Sequence, residues 1–369
     1  MAEDADTPIR AAAGTGEIKP SQRVAAIAAA IFALVTAAAL TWAKWWPYFL
    51  KTVHVLRTHT LGGKSVLTGG ARTAPSPSWH AAWTFGLSYF RSIWIALLAA
   101  LIISSAVEAL LSRRWLVRQL TRGPRWLGGS AAGGLLALPS MMCTCCTAPL
   151  TVTLRRSGVP SGSALAYWVG NPTLNPAVLI FMAVVLPWQW AGVRLIGGIA
   201  LVFLATAVAA RLDRDRTVKP TWSERDLADQ PATPAAAASR FASAFGRLSV
   251  TLLPEYAVIV LLLGAVRGWI FPLGSHLATW GVLAIVVFAI AGALFVIPTA
   301  GEIPIILGLL AAGLGTGPVG ALVITLPALS LPSLIMVGRS FSYRTLAALT
   351  AAVVILGIAA GAVLSAIGH

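Results

Sequence analysis

Charged side chains are scarce in this sequence. Only 11% of its 369 residues are Asp, Glu, Lys or Arg, while 57% are hydrophobic. A soluble domain carries roughly 25% charged residues. The shortage therefore argues against a soluble protein and predicts one that is embedded in the lipid bilayer.

The sequence also lacks the strict alternation of polar and apolar residues that marks the strands of a membrane β-barrel. Instead it has apolar runs, most of them about 20 residues long, and a helix of that length crosses a hydrocarbon core of about 30 Å. The runs lie near 24–43, 90–112, 163–186, 190–210, 250–271, 281–314, 317–338 and 345–367. The pattern predicts an all-α polytopic membrane protein.

A short basic start, typical of a cleaved signal peptide, is missing as well. Residues 1–23 contain four acids and are predicted to be a mobile cytoplasmic tail, followed by an extra N-terminal transmembrane helix at 24–49. The basic segments 113–125 and 211–247 predict cytoplasmic loops. We expect a multi-pass protein of the cell (plasma) membrane with its N-terminus in the cytoplasm, where loop placement explains the net charge of +15 without nucleic-acid binding.

Three apolar segments lie between these two cytoplasmic loops, although an even number of crossings must connect them. The segment 127–156 is interrupted by Pro139 and Pro149. Each half makes about 18 Å of helix, which reaches the bilayer midplane and returns. We predict a re-entrant hairpin with its tip at 139–149.

The second half of the chain repeats the first at an offset of 155 positions. Pro149, Gly158, Gly162, Ala166, Pro172 and Leu174 correspond to Pro304, Gly313, Gly317, Ala321, Pro327 and Leu329. The predicted repeats, 90–211 and 248–369, start on opposite sides of the membrane and are joined by a cytoplasmic linker at 212–247. Two inverted repeats, each with a re-entrant or broken helix hairpin, are typical of secondary transporters with a midplane site.

Cysteine is rare, and all three residues lie at the first hairpin tip: Cys143, Cys145 and Cys146. They are too close in sequence to staple the fold through ordinary disulfides. Thiolates are soft ligands and are favoured at a helix N-terminus. The cluster therefore suits a soft ion such as Cu(I) or a trivalent metalloid; the competing interpretation is that of small buried hydrophobic residues.

Helix breaks are further predicted at 298–304, 171–176 and 325–333. Their polar residues either contact substrate or satisfy backbone groups that the prolines free; they are Asn171, Thr173, Asn175, Ser330 and Ser333. Glu302, at the second tip, is a candidate carrier of the proton that couples transport. Its carboxylate also complements the dipole of the helix that it starts. Glu108 and Glu255 lie near span ends, where solvation or pairing is expected.

Several chemistries lack their sequence marks. The five histidines show no metal-ligand spacing, and no Walker-type glycine loop is present, so we expect no resident cofactor and no ATP drive within this chain. Asn175, Pro176 and Ala177 form the tripeptide typical of aquaporins. A water channel of that kind needs a second copy, and the sequence has only one, which argues against this function. A membrane thiol oxidoreductase usually needs a second redox pair, and no cysteine lies outside 143–146 to form one.

Four segments together resemble the predicted permease family that includes organoarsenical efflux permeases. They are Cys143–Cys146, GNPTLNPAVL (170–179), GEIP (301–304) and LSLPSL (329–334), and the resemblance covers roughly 90–367. It implies that Cys143 and Cys145 bind trivalent methylated arsenicals. The family pattern is Cys-Ser-Cys-Gly, so Cys146 stands where glycine is expected, and either completes a three-coordinate site or marks a branch with another cargo.

We therefore expect a secondary-transporter-type permease rather than an enzyme. It would export a thiol-reactive metalloid or organometalloid, with Cys143, Cys145 and Cys146 as ligands of this small substrate. The alternatives are a permease for another soft metal ion or a small sulfur compound, and a membrane thiol oxidoreductase.

Overall fold

A computed structural model of the chain describes residues 22–60, 78–121, 127, 129–213, 233–270 and 281–367. Residues 1–21 of the predicted tail at 1–23 and 214–232 of the predicted linker at 212–247 lie outside the described residues, whereas 234–247 of that linker are helical. In the described ranges, seven helical segments are long and apolar enough to cross a membrane: Ala26–Thr58, Trp79–Leu110, Ser161–Val185, Trp188–Arg211, Pro234–Ala265, Thr316–Gly338 and Tyr343–Ile367. The all-α polytopic fold is confirmed.

The extra N-terminal span is one continuous helical segment. Helix α1 (Gln22–Leu40) passes through a π-helical stretch, Thr41–Trp45, into α2 (Trp46–Thr58). The predicted helix at 24–49 thus continues to Thr58. π-helical stretches within longer helices are frequent at functional sites.

The first repeat contains helices α3 to α10. They are α3 (Trp79–Leu110), α4 (Arg113–Leu120), α5 (Ser130–Ala137), α6 (Thr144–Arg156), α7 (Ser161–Thr173), α8 (Pro176–Val185), α9 (Trp188–Ile199) and α10 (Thr206–Arg211), with a π-helical stretch, Ala200–Ala205, before α10. Ser78 caps α3 by accepting a hydrogen bond from the Ala81 amide at 3.1 Å. This helix begins at Trp79 rather than near 90.

The second repeat contains six helices: α11 (Pro234–Ile270), α12 (Val282–Leu294), α13 (Glu302–Ala311), α14 (Thr316–Ala328), α15 (Leu331–Gly338) and α16 (Tyr343–Ile367). The starts of α3, α7, α8 and α9 recur 155 positions later as the starts of α11, α14, α15 and α16. The internal repeat is thus visible in the helix boundaries as well as in the sequence.

Each repeat contains a pair of short helices, α5–α6 and α12–α13. They have 8 and 13 residues in the first pair and 13 and 10 in the second, so each is about 12–20 Å long. None alone crosses a core of about 30 Å. The tips are 138–143, shorter than predicted because α6 includes Pro149, and 295–301.

Both tips contain a residue with left-handed backbone that is not glycine. Met141 has a φ of 50° and Ala300 a φ of 67°. Such a conformation costs about 1–2 kcal/mol per residue and persists only where the surrounding contacts hold it in place. The packing around the tips therefore stabilises a specific tip geometry.

Candidate functional site

The three thiols lie together at the start of α6. Cys143 is the N-cap of that helix, and its Sγ is 3.1 Å from the Sγ of Cys146, one turn further on. The Sγ of Cys145 is 3.3 Å from the Ser330 hydroxyl. All three cysteines are free and buried, so the cluster is closed to bulk water in this conformation.

The second repeat completes this cluster through the break between α14 and α15. The Ser330 hydroxyl lies 3.3 Å from the Thr144 hydroxyl and donates to Ser333 Oγ at 2.9 Å. Ser333 donates to the Ser330 carbonyl at 2.9 Å. The predicted candidates Ser330 and Ser333 therefore lie beside the thiols, and the site is built from both repeats.

Glu302, the first residue of α13, forms a buried ion pair with Arg194 of α9. The Nη1 of Arg194 is 2.6 Å from the carboxylate, and the two side chains are 0% and 2% exposed. Arg194 also donates to the carbonyls of Pro172, at 2.7 Å, and Thr173, at 3.2 Å. The second hairpin therefore contacts the broken span of the first repeat. In the same way, the first hairpin contacts the broken span of the second repeat.

The three polar residues of the α7–α8 break mostly serve the backbone. Asn171 donates to the Tyr167 carbonyl at 2.8 Å, and Thr173 to the Val169 carbonyl at 2.5 Å. Asn175 caps α8 by accepting from the amides of Ala177 and Val178, at 3.1 and 3.4 Å. Its buried Nδ2 has no hydrogen-bond partner among the described residues, so the two N–H donors of this amide are available to a ligand.

The extra N-terminal span touches both hairpin tips. The indole of Trp45 donates to the Pro139 carbonyl at 2.7 Å in the first tip. The ammonium group of Lys44 donates to the Thr299 hydroxyl at 3.2 Å in the second. The span is thereby fixed against the site rather than attached at the edge of the bundle.

Sequence reasoning missed Lys44 and Arg194, although a signal for each exists. Both are single cations within long apolar segments, and an ionisable group at membrane depth is a functional candidate by default. Most other basic residues lie in the predicted loops, and this larger number obscures the two cations within the apolar segments.

Glu108 and Glu255 each form an ion pair with an arginine, which agrees with the expected pairing rather than with solvation. Glu108 is 2.5 Å from Arg247 and Glu255 is 3.3 Å from Arg339. A third ion pair, Arg155 with Asp213 at 2.6 Å, is more deeply buried. None of these carboxylates hydrogen-bonds to a cysteine in the described part of the chain.

Across the described residues, no group of three or more His, Cys, Asp or Glu side chains is arranged as a metal-ion site. The close pair is Cys143 with Cys146, whereas Cys145 contacts Ser330. The pair implied by the resemblance was Cys143 with Cys145. The residue in the position where the family has glycine is thus the nearer partner of Cys143.

Comparison with known proteins places the chain in a family. A family model described as "Predicted permease" matches residues 78–366. The UPF0718 protein YraQ of Escherichia coli is 40% identical over 332 residues, which cover 90% of this chain and 93% of that protein. The UPF0718 protein MJ0584 of Methanocaldococcus jannaschii is 20% identical over 310 residues, covering 66% and 84%.

No solved structure matches the chain. The family match begins one residue before α3 and ends one residue before the end of α16, so it covers both repeats and omits the extra N-terminal span. The chain belongs to the predicted permease family and is a membrane transporter.

Proposed function

We propose that this permease exports a thiol-reactive trivalent metalloid or organometalloid and that Cys143, Cys145 and Cys146 bind it. The observation that carries the proposal is the gathering of three buried thiols where a hairpin tip of one repeat meets the helix break of the other. Midplane sites between inverted repeats are the usual place for cargo in secondary transporters.

The spacing of the closest sulfur pair favours one shared soft centre. Two sulfurs 3.1 Å apart, each bound at about 2.3 Å as in metal–thiolate bonds, subtend about 85° at that centre. This angle is narrower than a tetrahedral angle and closer to the pyramidal geometry of a trivalent metalloid. The Cys145 thiol, 3.3 Å from the Ser330 hydroxyl, is the further candidate ligand.

The ion pair of Glu302 and Arg194 supplies a candidate for coupling. A proton on Glu302 removes the carboxylate charge that holds Arg194 at 2.6 Å, and Arg194 also bonds to the break between α7 and α8. Protonation at one hairpin would thereby loosen the contact between the two repeats. Alternating access requires such a change in how one repeat packs against the other.

The test is uptake of methylarsenite by everted membrane vesicles, in which uptake corresponds to export from a cell. Wild type is compared with Cys143→Ser, Cys145→Ser and Cys146→Ser at matched expression. The control is Ser365→Ala, because the Ser365 hydroxyl bonds only within its own helix, to the Ala362 carbonyl at 2.8 Å, far along the chain from the thiols.

We expect Cys143→Ser to lower uptake at least about tenfold, the loss that follows from roughly 1.4 kcal/mol of binding. The comparison of Cys145→Ser with Cys146→Ser then identifies the second ligand. Wild-type uptake that all three substitutions leave unchanged contradicts the proposal. If wild type takes up no methylarsenite, Cu(I) and small sulfur compounds become the cargo to test.

A further inference from the structure

Lys44 is a buried cation in the π-helical stretch of the extra N-terminal span. It is 6% exposed, its Nζ bonds to the Thr299 hydroxyl at 3.2 Å, and it lies 5.4 Å from the centroid of the Tyr48 ring. Within the described part of the chain it forms no ion pair with a carboxylate. A buried ammonium group is costly to maintain unless something compensates its charge.

The position of Lys44 relates it to the thiols. Its ammonium group lies within electrostatic range of both Cys143 and Cys146, and the Thr299 hydroxyl to which it donates is also close to Cys143. The bond between Trp45 and the Pro139 carbonyl holds this turn of the helix on the first hairpin tip. Lys44 is therefore fixed between the two tips and beside the thiol pair.

The balance of charge around the tips is positive among the described residues. Lys44, Lys51 and Arg194 are cations in this region, and Glu302 is the acid that interacts with Lys51 and Arg194. The carboxylate of Glu302 is already bonded to the Arg194 guanidinium at 2.6 Å. An anion that enters the site therefore meets a net positive charge from these four side chains, and low dielectric strengthens its attraction.

We propose that Lys44 and Thr299 form an anion subsite beside the thiol cluster, which favours thiol-reactive cargoes that also carry an anionic group. This inference rests on the proposed function, because it assumes that the cargo contacts the thiols. Because Lys44 precedes the residues 78–366 that the family model matches, one of the two residues of the subsite comes from outside the two repeats.

The experiment measures how charge affects the reaction of the natural thiols, without any transport assay. The probes are methyl methanethiosulfonate, which is neutral, and 2-sulfonatoethyl methanethiosulfonate, which is an anion. In each case a cysteine thiolate attacks the sulfenyl sulfur, a protein disulfide forms, and methanesulfinate leaves with the electron pair of the broken S–S bond. The readout is the ratio of the two rate constants, followed by mass spectrometry of full-length protein in vesicles.

We expect Lys44→Met to lower the anionic-to-neutral ratio about tenfold, since it removes a unit charge near the thiols. Lys44→Arg keeps the charge and should keep the ratio within about twofold. The matched control is Arg57→Met, an exposed cation in the last turn of the same span; it should change the ratio by less than about twofold, because exposed charges are screened.

Two outcomes overturn the subsite. One is an unchanged ratio in Lys44→Met, including the case in which both rate constants fall equally, which indicates a structural role only. The other is a wild-type protein that the anionic probe does not label. Failure of the proposed cargo looks different, because there the charge preference of labelling remains while methylarsenite uptake is absent.

Discussion

At the scale of single residues, the buried ion pair of Arg194 and Glu302 joins the second hairpin to the first repeat. A guanidinium that is 0% exposed donates to one carboxylate and two backbone carbonyls. Breaking a buried pair by removing one partner costs about 3–5 kcal/mol, because the other charge is left buried without compensation. Removing both charges together costs much less.

We therefore predict that Glu302→Gln and Arg194→Gln each destabilise the protein strongly, whereas the double variant recovers most of the loss. Thermal unfolding in detergent micelles measures this. If Glu302 carries the coupled proton, the stable double variant takes up cargo without responding to a proton gradient. If the double variant regains gradient-driven uptake along with its stability, the pair is structural only.

Sequence reasoning found part of this site. Cys143, Cys145, Cys146 and Glu302 stand out because thiols and acids are rare in apolar segments. The identity of the closest sulfur pair could not be predicted, since it depends on Cys143 adopting the N-cap conformation, with φ −78° and ψ 165°. Arg194 and Lys44 find their partners 108 and 255 positions away, a distance that no local pattern reveals.

At the scale of helices, the bundle relies on glycine where two backbones meet. A Cβ added to Gly133 of α5 would lie 2.0 Å from the carbonyl oxygen of Ser163 in α7. Small residues at such crossings let membrane helices approach closely. The first hairpin is held against α7 in this way, and α7 in turn donates from Trp168 to the Thr144 carbonyl at 3.2 Å, next to the thiols.

We predict that Gly133→Ala forces α5 away from α7 and lowers the unfolding temperature, with a cost of about 1–3 kcal/mol from overpacking. The matched control is Gly308→Ala in the second hairpin, where an added Cβ meets nothing within 4 Å. This control should be neutral or stabilise by up to about 1 kcal/mol, because Ala is the better helix former. Equal effects at the two positions would contradict the close crossing.

The sequence predicted the helix breaks better than their edges. The breaks at Asn175 and Ser330 follow from prolines at the first or second helical position, which favour a new helix start. The sequence predicts Pro149 at the end of the first hairpin tip, whereas in the structure it lies inside α6. Membrane helices tolerate such a proline where neighbouring protein covers the freed backbone group, and every residue from Thr144 to Leu154 is buried.

At the scale of the whole molecule, the inverted repeats differ in chemistry at their two ends. The ion pairs Arg155–Asp213 and Arg247–Glu108 lie on the side of the bundle that the loop charges predict to be cytoplasmic. The offset of 155 places Leu310 and Leu263 at the positions equivalent to Arg155 and Glu108. The predicted cytoplasmic end is thus closed by charge where the opposite end has leucine.

Asp213 is the centre of this closure. Its carboxylate accepts from Arg155 at 2.6 Å, from the Ser342 amide at 2.9 Å and from the Ser161 hydroxyl. These partners end α6, precede α16 and begin α7, so one side chain joins the first hairpin to the second repeat. Hydrogen bonds to a charged group contribute about 1.5–3 kcal/mol each.

We predict that Asp213→Asn opens the predicted cytoplasmic side and leaves the other side closed. Labelling of the natural thiols by the membrane-impermeant sulfonatoethyl reagent should become at least about fivefold faster in everted vesicles, the effect of losing roughly 1 kcal/mol from the closed state. Labelling in right-side-out vesicles should not change. The control is Arg339→Gln, since Arg339 is 55% exposed and exposed ion pairs contribute little. Faster labelling only in right-side-out vesicles would show that the charged end faces outward and would reverse the orientation inferred from the loops.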